Sequence, residues 1–182
     1  MIAPFVAPGP DARCCFDRVA SPIGDLLLTG SDEALTGLYM LGAPGGRSAS
    51  TPPGARREPG AFVRVAAQLR AYFAGERRDF DVPLSPAGSP FQLAVWSALT
   101  RIPYGTTTSY GAIACQLGKP LAASRAVGAA NGQNPIAVII PCHRVIGADG
   151  GLTGYGGGLD RKELLLRLEG AAAMAAQDAT LW

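Results

Sequence analysis

The sequence predicts an α+β protein. A small N-terminal α/β domain holds a three-stranded antiparallel sheet and one helix, and a mainly helical C-terminal domain containing a helix-turn-helix follows. Three observations carry this. Three strand-like runs separated by turn residues follow one another before Gly42. Capped helical patterns dominate after Ser89. Between them, Pro83 to Gly88 has the composition of a linker, which divides the chain into residues 1–84 and 89–182. At 182 residues the chain is long enough for two modest cores.

In order, Arg13 to Ala20 is apolar enough for a strand, although it alternates poorly. Ser21-Pro-Ile-Gly24 is turn chemistry. Asp25 to Thr29 and Leu35 to Leu41 are two further strands on either side of Gly30-Ser-Asp-Glu33, completing a meander. Ala43 to Gly60 is rich in Gly, Pro, Ser and Arg and reads as an exposed loop. Ala61 to Ala74 is an amphipathic helix with Phe62, Val65, Leu69, Tyr72 and Phe73 on one side, closed by Gly75.

Ser89-Pro90 is an N-cap and first-turn pair for a helix from Phe91 to about Ile102, ended by Pro103-Tyr-Gly105. Phe91, Val95, Ala98 and Leu99 form its apolar side. Ser109 caps Tyr110 to Leu117, Gly118 closes that helix, and Leu121 to Ala130 forms the next. Two short helices across a tight turn make the helix-turn-helix candidate. Ile136 to Ile140 is an unbroken apolar run bounded by Pro135 and Pro141, read as a buried strand or a tightly packed extended segment. From Gly147 to Gly158 the chain is mostly glycine and small residues, a loop that can lie close to a planar ligand. Leu159 to Gly170 is a helix with Leu164, Leu165 and Leu168 inward. Glu169 sits where a carboxylate opposes the macrodipole, a cost that suggests a specific partner, although an exposed glutamate is the ordinary explanation. Ala171 to Trp182 is an Ala-rich tail with no assignable role.

Composition narrows the class. With 48% hydrophobic and 16% charged residues the chain is globular, and no run of apolar residues is long enough to span a bilayer. Met1 to Pro10 lacks the cationic start of a signal peptide, which favours the cytoplasm. Cys14 and Cys15 are adjacent, Cys115 and Cys142 stand alone, and His143 is the only histidine, so no zinc ligand set is expected. Net charge is only +2, but no Asp or Glu occurs between Asp81 and Asp149, where Arg101, Lys119, Arg125 and Arg144 lie. An acid-free stretch suits contact with phosphates; a neutral core lacks acids equally well.

The chemistry centres on Cys142-His143. A thiol becomes a nucleophile only beside a base or a positive field, and the base needs a third group to orient it. Adjacent side chains diverge, so the pair would need a turn or one bridging water. From these two residues alone, a packed and inert cysteine is the ordinary reading.

The wider pattern overrides that. Pro141-Cys142-His143-Arg144-Val145-Ile146 and Gly154-Tyr155-Gly-Gly-Gly-Leu159 resemble the active-site signature of the O6-alkylguanine-DNA alkyltransferases, the methylated-DNA–protein-cysteine methyltransferases. The resemblance also takes in Ile102-Pro-Tyr-Gly-Thr106, Ser109-Tyr110, Ser124-Arg125-Ala-Val-Gly128, Asn131, Asn134-Pro135 and Leu168-Glu169-Gly170, close from Phe91 to Gly170 and loose before.

It implies single-turnover transfer of an alkyl group from O6-alkylguanine in double-stranded DNA to Cys142, with O4-alkylthymine as a second candidate substrate. His143 would be the base, Glu169 the orienting carboxylate, Asn134 the brace of the turn and Tyr110 the proton donor to the leaving base. Arg125, with Ser124, Ala126 and Tyr110, would contact DNA through the minor groove while the nucleotide is flipped out. Val145, Tyr155, Gly156 and Gly157 would line the base pocket. Some relatives have serine where Gly156 stands, which keeps the backbone N–H but alters pocket size. The resemblance implies no cofactor, no metal, no membrane and a monomer. The competing reading is a non-catalytic alkyl-lesion-binding helix-turn-helix protein, which Cys142 itself argues against.

Overall fold

The computed structural model describes residues 5–7, 13–31, 33–42 and 51–171. Readings of the extreme N-terminus, the start of the Ala43–Gly60 loop and the tail after Ala171 lie outside the described residues.

The meander forms as predicted: β1 (Cys15–Val19), β2 (Leu26–Gly30) and β3 (Leu35–Met40) pair antiparallel, with Leu28 opposite both Asp17 and Leu38. All of β2 is buried, which is why it reads as a leucine run rather than an alternation. The sheet is nevertheless four-stranded and mixed, in the order β3-β2-β1-β4. The extra strand, β4 (Arg56–Arg57), pairs parallel to β1 inside the segment read from sequence as a loop. Two exposed arginines carry no apolar periodicity; backbone bonds such as Glu58 N–H to Phe16 O (3.0 Å) make them a strand, and Arg57 Nε adds a bond to Asp17 Oδ1 on β1 at 3.0 Å.

A short 3-10 turn, Pro59–Phe62, leads into α1 (Val63–Phe73). Phe62, Val65, Leu69 and Tyr72 face the core, whereas Phe73 is only half-buried. α2 (Pro90–Leu99) starts at a capping box between Ser89 and Gln92, and its Trp96 ring N–H donates to Ala130 O at 2.8 Å. The Ser109 hydroxyl caps α3 (Tyr110–Gln116). α4 (Ser124–Gly132) follows a 3-10 turn and packs on both α3 and α2, making the expected two-helix hairpin.

Two segments depart from the sequence reading. Ile136 to Ile140 is buried but is a compact turn, not a strand. Only Ile136 makes a bridge, to Leu38, and Val138 takes the left-handed conformation at φ 67°. A short apolar run does not separate a strand from a buried turn. In α5 (Leu159–Leu168), Leu164 is 39% exposed, and the inward stripe is Lys162, Leu165, Leu166 and, just past the helix end, Glu169. That is ordinary helical spacing, hidden from a hydrophobic reading because its two ends are charged.

β5 (Thr108–Ser109) and β6 (Val145–Ile146) form a two-residue parallel ladder, which sets the Cys142 turn beside the start of α3. One hydrophobic cluster runs through both halves of the chain. None of the described helices is long and apolar enough to cross a membrane.

Candidate active site

Cys142, His143 and Arg144 form one 3-10 turn between Pro141 and β6. Its geometry is imposed from Asn134. The Asn134 side-chain amide donates to Ile140 O at 2.8 Å and to Cys142 Sγ at 3.1 Å, while its Oδ1 accepts from the Ile136 N–H at 3.0 Å. The asparagine thus closes the chain back on itself and delivers the sulfur, 5% exposed, to a cleft. Burial pushes the Cys142 thiol up; the Asn134 contact and the charge of Lys162 pull it part of the way back. The resting group is a thiol and needs a base.

His143 is completely buried. Burial lowers its pKa, against the pull of the adjacent carboxylate, so the ring is neutral at pH 7. Nε2 lies 2.9 Å from Glu169 Oε1. A carboxylate only accepts, so a neutral ring must carry its proton on Nε2. Nδ1 is then a bare acceptor, and it is buried with no hydrogen-bond partner among the described residues. No direct hydrogen bond joins it to the sulfur.

Glu169 has the partner its position suggested, and several more. Oε1 accepts from the Tyr72 hydroxyl at 2.6 Å and from Arg144 Nη2 at 2.9 Å; Oε2 accepts from Arg144 Nε at 2.8 Å and from the Gly105 N–H at 3.2 Å. Burial alone would raise this carboxyl, but His143 and Arg144 hold it well below the usual carboxylate range. The Arg144 guanidinium is completed by Ile102 O at 2.6 Å. Glu169 is therefore a permanent anion that fixes the imidazole and takes up no proton.

A second buried cation lies on the other side. Lys162 Nζ donates to Val145 O at 2.7 Å and Thr153 O at 2.8 Å, and burial lowers its pKa to about 8. It ties the strand after the nucleophile to the glycine-rich loop. The Tyr110 hydroxyl also donates to Thr153 O, at 3.3 Å, and burial raises its pKa, so it stays a proton donor. A Cβ on Gly128 would lie 3.7 Å from the Tyr110 ring, which places that ring against α4.

The cleft beside Cys142, about 420 Å³ with its mouth, is lined by Tyr155, Gly156 and Gly157 of the loop and by Leu38, Tyr39 and Met40 of β3. Val145 is a correction to the sequence reading: its side chain is wholly buried, it does not line the cleft, and its carbonyl is taken by Lys162. Arg125 and Ala126 are exposed on the first turn of α4, with Ser124 half-buried beside them, all outside the cleft.

Sequence reasoning missed Tyr72, Lys162 and β3 as parts of the site, and saw Arg144 only as a nearby charge. Tyr72 was legible as core, not as a donor. Its hydroxyl, on a fully buried ring, was the available signal, since such a group needs a partner.

Comparison with known proteins agrees with this fold. Residues 90–171 match the model of the 6-O-methylguanine DNA methyltransferase DNA binding domain, and residues 17–86 that of the ribonuclease-like domain of the same proteins. The chain is 55% identical over 169 residues to the methylated-DNA–protein-cysteine methyltransferase of Mycobacterium tuberculosis H37Rv, covering 92% of this chain and 98% of that protein. The Methanosarcina acetivorans protein of the same name is 53% identical over 151 residues, 83% of this chain and 95% of that one. Among solved structures, Mycobacterium tuberculosis OGT in complex with DNA superposes with a TM-score of 0.80 at 53% identity, over 87% of this chain and 96% of that one. Two family models that between them cover most of the chain, and relatives of this identity across both halves, lead to one conclusion: the chain belongs to the methylated-DNA–protein-cysteine methyltransferase family.

Proposed function

We propose that this DNA repair methyltransferase binds double-stranded DNA, draws an O6-alkylguanine out through the minor groove, and takes the alkyl group irreversibly onto Cys142. The observation that supports these residue roles best is the wholly buried His143–Glu169 pair. It leaves one imidazole nitrogen bare on the residue next to a thiol in a cleft.

The thiol proton passes through a water to His143 Nδ1. The thiolate displaces the alkyl carbon in line, the C–O6 bond breaks, and its electron pair stays on the guanine oxygen. Tyr110, kept protonated, donates to the departing base. Glu169 stabilises the imidazolium without accepting its proton, the logic of a hydrolytic triad. The product is a thioether, which water does not cleave, so each molecule acts once. Asn134 holds the sulfur on line, and the glycine loop closes over the base. The protein works as a monomer in the cytoplasm, its two units spanning residues 1–84 and 89–182, with O4-alkylthymine as a second substrate.

The test is intact mass after incubation with a duplex containing O6-methylguanine. One methyl should be gained, mapped to the Cys142 peptide, and the reaction should stop at one equivalent. Continued turnover or a methyl elsewhere would remove the assignment.

Arg125 fills the gap that the flipped nucleotide leaves. Extrusion costs a few kcal/mol of unstacking and unpairing, and free base needs none of it. Arg125→Ala should slow repair of duplex by about tenfold, the equivalent of ~1.4 kcal/mol. It should leave reaction with free O6-benzylguanine near the unsubstituted rate. Equal losses on both substrates would take the flipping role from Arg125.

A further inference from the structure

Part of the wall of the cleft comes from the N-terminal sheet. β3 is an edge strand, and its outer edge is fastened to the chain just before the nucleophile. Leu38 N–H donates to Pro135 O at 2.8 Å, and Ala137 N–H to Leu38 O at 3.0 Å. The strand therefore cannot retreat from Cys142 without breaking backbone bonds. Its Tyr39 and Met40 line the same cleft as the sulfur. Met40 also meets the loop itself: a Cβ built on Gly157 would lie 2.5 Å from Met40 Sδ. A rigid strand carrying an unbranched, soft side chain is a wall whose position is fixed and whose surface yields.

In-line attack on an alkyl carbon leaves a methyl group needing no room beyond the sulfur. Every further carbon must project sideways into whatever bounds the cleft. We propose that Met40, pressed against Gly157, is the specificity-determining residue that sets the largest alkyl group Cys142 accepts from guanine O6. The inference rests on the acceptor role of Cys142 and gives the N-terminal unit a part in substrate choice.

The test uses the full-length chain and two duplexes, one with O6-methylguanine and one with O6-benzylguanine, followed by intact mass over time. The readout is the ratio of the two transfer rates, which cancels losses common to both substrates. Met40→Ala should raise the benzyl-to-methyl ratio about tenfold and Met40→Phe should lower it, the scale that small volume changes give in apolar pockets. A ratio unchanged in both variants overturns the proposal. Gly157→Ala supplies a second arm: its Cβ would press on Tyr155 Cε1 at 2.8 Å as well as on Met40, so it should lower the benzyl-to-methyl ratio, and adding Met40→Ala should restore that ratio in part. Independent, additive effects would show that the two residues do not share the wall. Failure of the unsubstituted protein to take a methyl at Cys142 would instead defeat the acceptor assignment. Transfer of both groups with ratios insensitive to Met40 defeats this inference alone.

Discussion

Cys142→Ala should gain no mass from an O6-methylguanine duplex while still binding it. The other three cysteines make the result informative. Cys14 and Cys115 are exposed and Cys15 is buried, with its Sγ on Gly30 O at 3.3 Å. If accessibility decided the acceptor, Cys14 or Cys115 would be alkylated first. The proposed chemistry decides otherwise, because the one histidine of the chain belongs to Cys142. The substitution removes a sulfur from a braced turn and leaves a small void, worth about 1 kcal/mol. The melting midpoint should fall by only about 2–4 °C for a chain of this size. Lost transfer with retained fold and binding isolates the thiol as the reacting group. A methyl found on Cys14 or Cys115 in the variant, at the rate of the unsubstituted protein, would refute it.

The readable part of this site was the part whose chemistry is local. Pro141 to Ile146 and Gly154 to Leu159 each carry their pattern within a few residues, and Ser89 and Ser109 announce their helices by capping. What stayed hidden depends on contacts between distant segments. Tyr72 and Glu169 are 97 residues apart and meet through one hydroxyl, which no periodicity encodes. Lys162 sits on an inward helical stripe that a hydrophobic reading assigns to Leu164. β4 exists through its backbone pairing with β1 and the ion pair of Arg57 with Asp17, 40 residues away. The apolar run from Ile136 to Ile140 was legible as buried, but its turn is set by the Asn134 side chain, which overrides the extended preference of β-branched residues.

Glu169→Gln should damage both fold and rate. Glutamine keeps the shape, but Arg144, only 6% exposed, loses its counter-charge. Breaking one side of a buried pair costs about 3–5 kcal/mol, a large share of a stability of about 5–15 kcal/mol. Transfer should slow on the order of 10²–10³-fold, because the imidazole loses both its fixed tautomer and the anion that stabilises its protonated form. Adding Arg144→Met separates the two effects. With both charges gone, stability should largely return while transfer stays slow; recovery of the rate as well would reduce Glu169 to a structural counter-ion. The pH dependence gives an independent check. The folded carboxyl titrates below its ordinary 4.5, so its stabilisation is complete above that value and is lost as the pH falls through the folded one. His143 acts in the same direction from 6.5 downward, since the unfolded chain takes the proton first. Unfolding titrations should therefore show stability falling from neutral into acid, with the Gln variant flatter below pH 4.5. An identical slope in that range for both proteins would mean that the carboxylate does not carry the charge assigned to it.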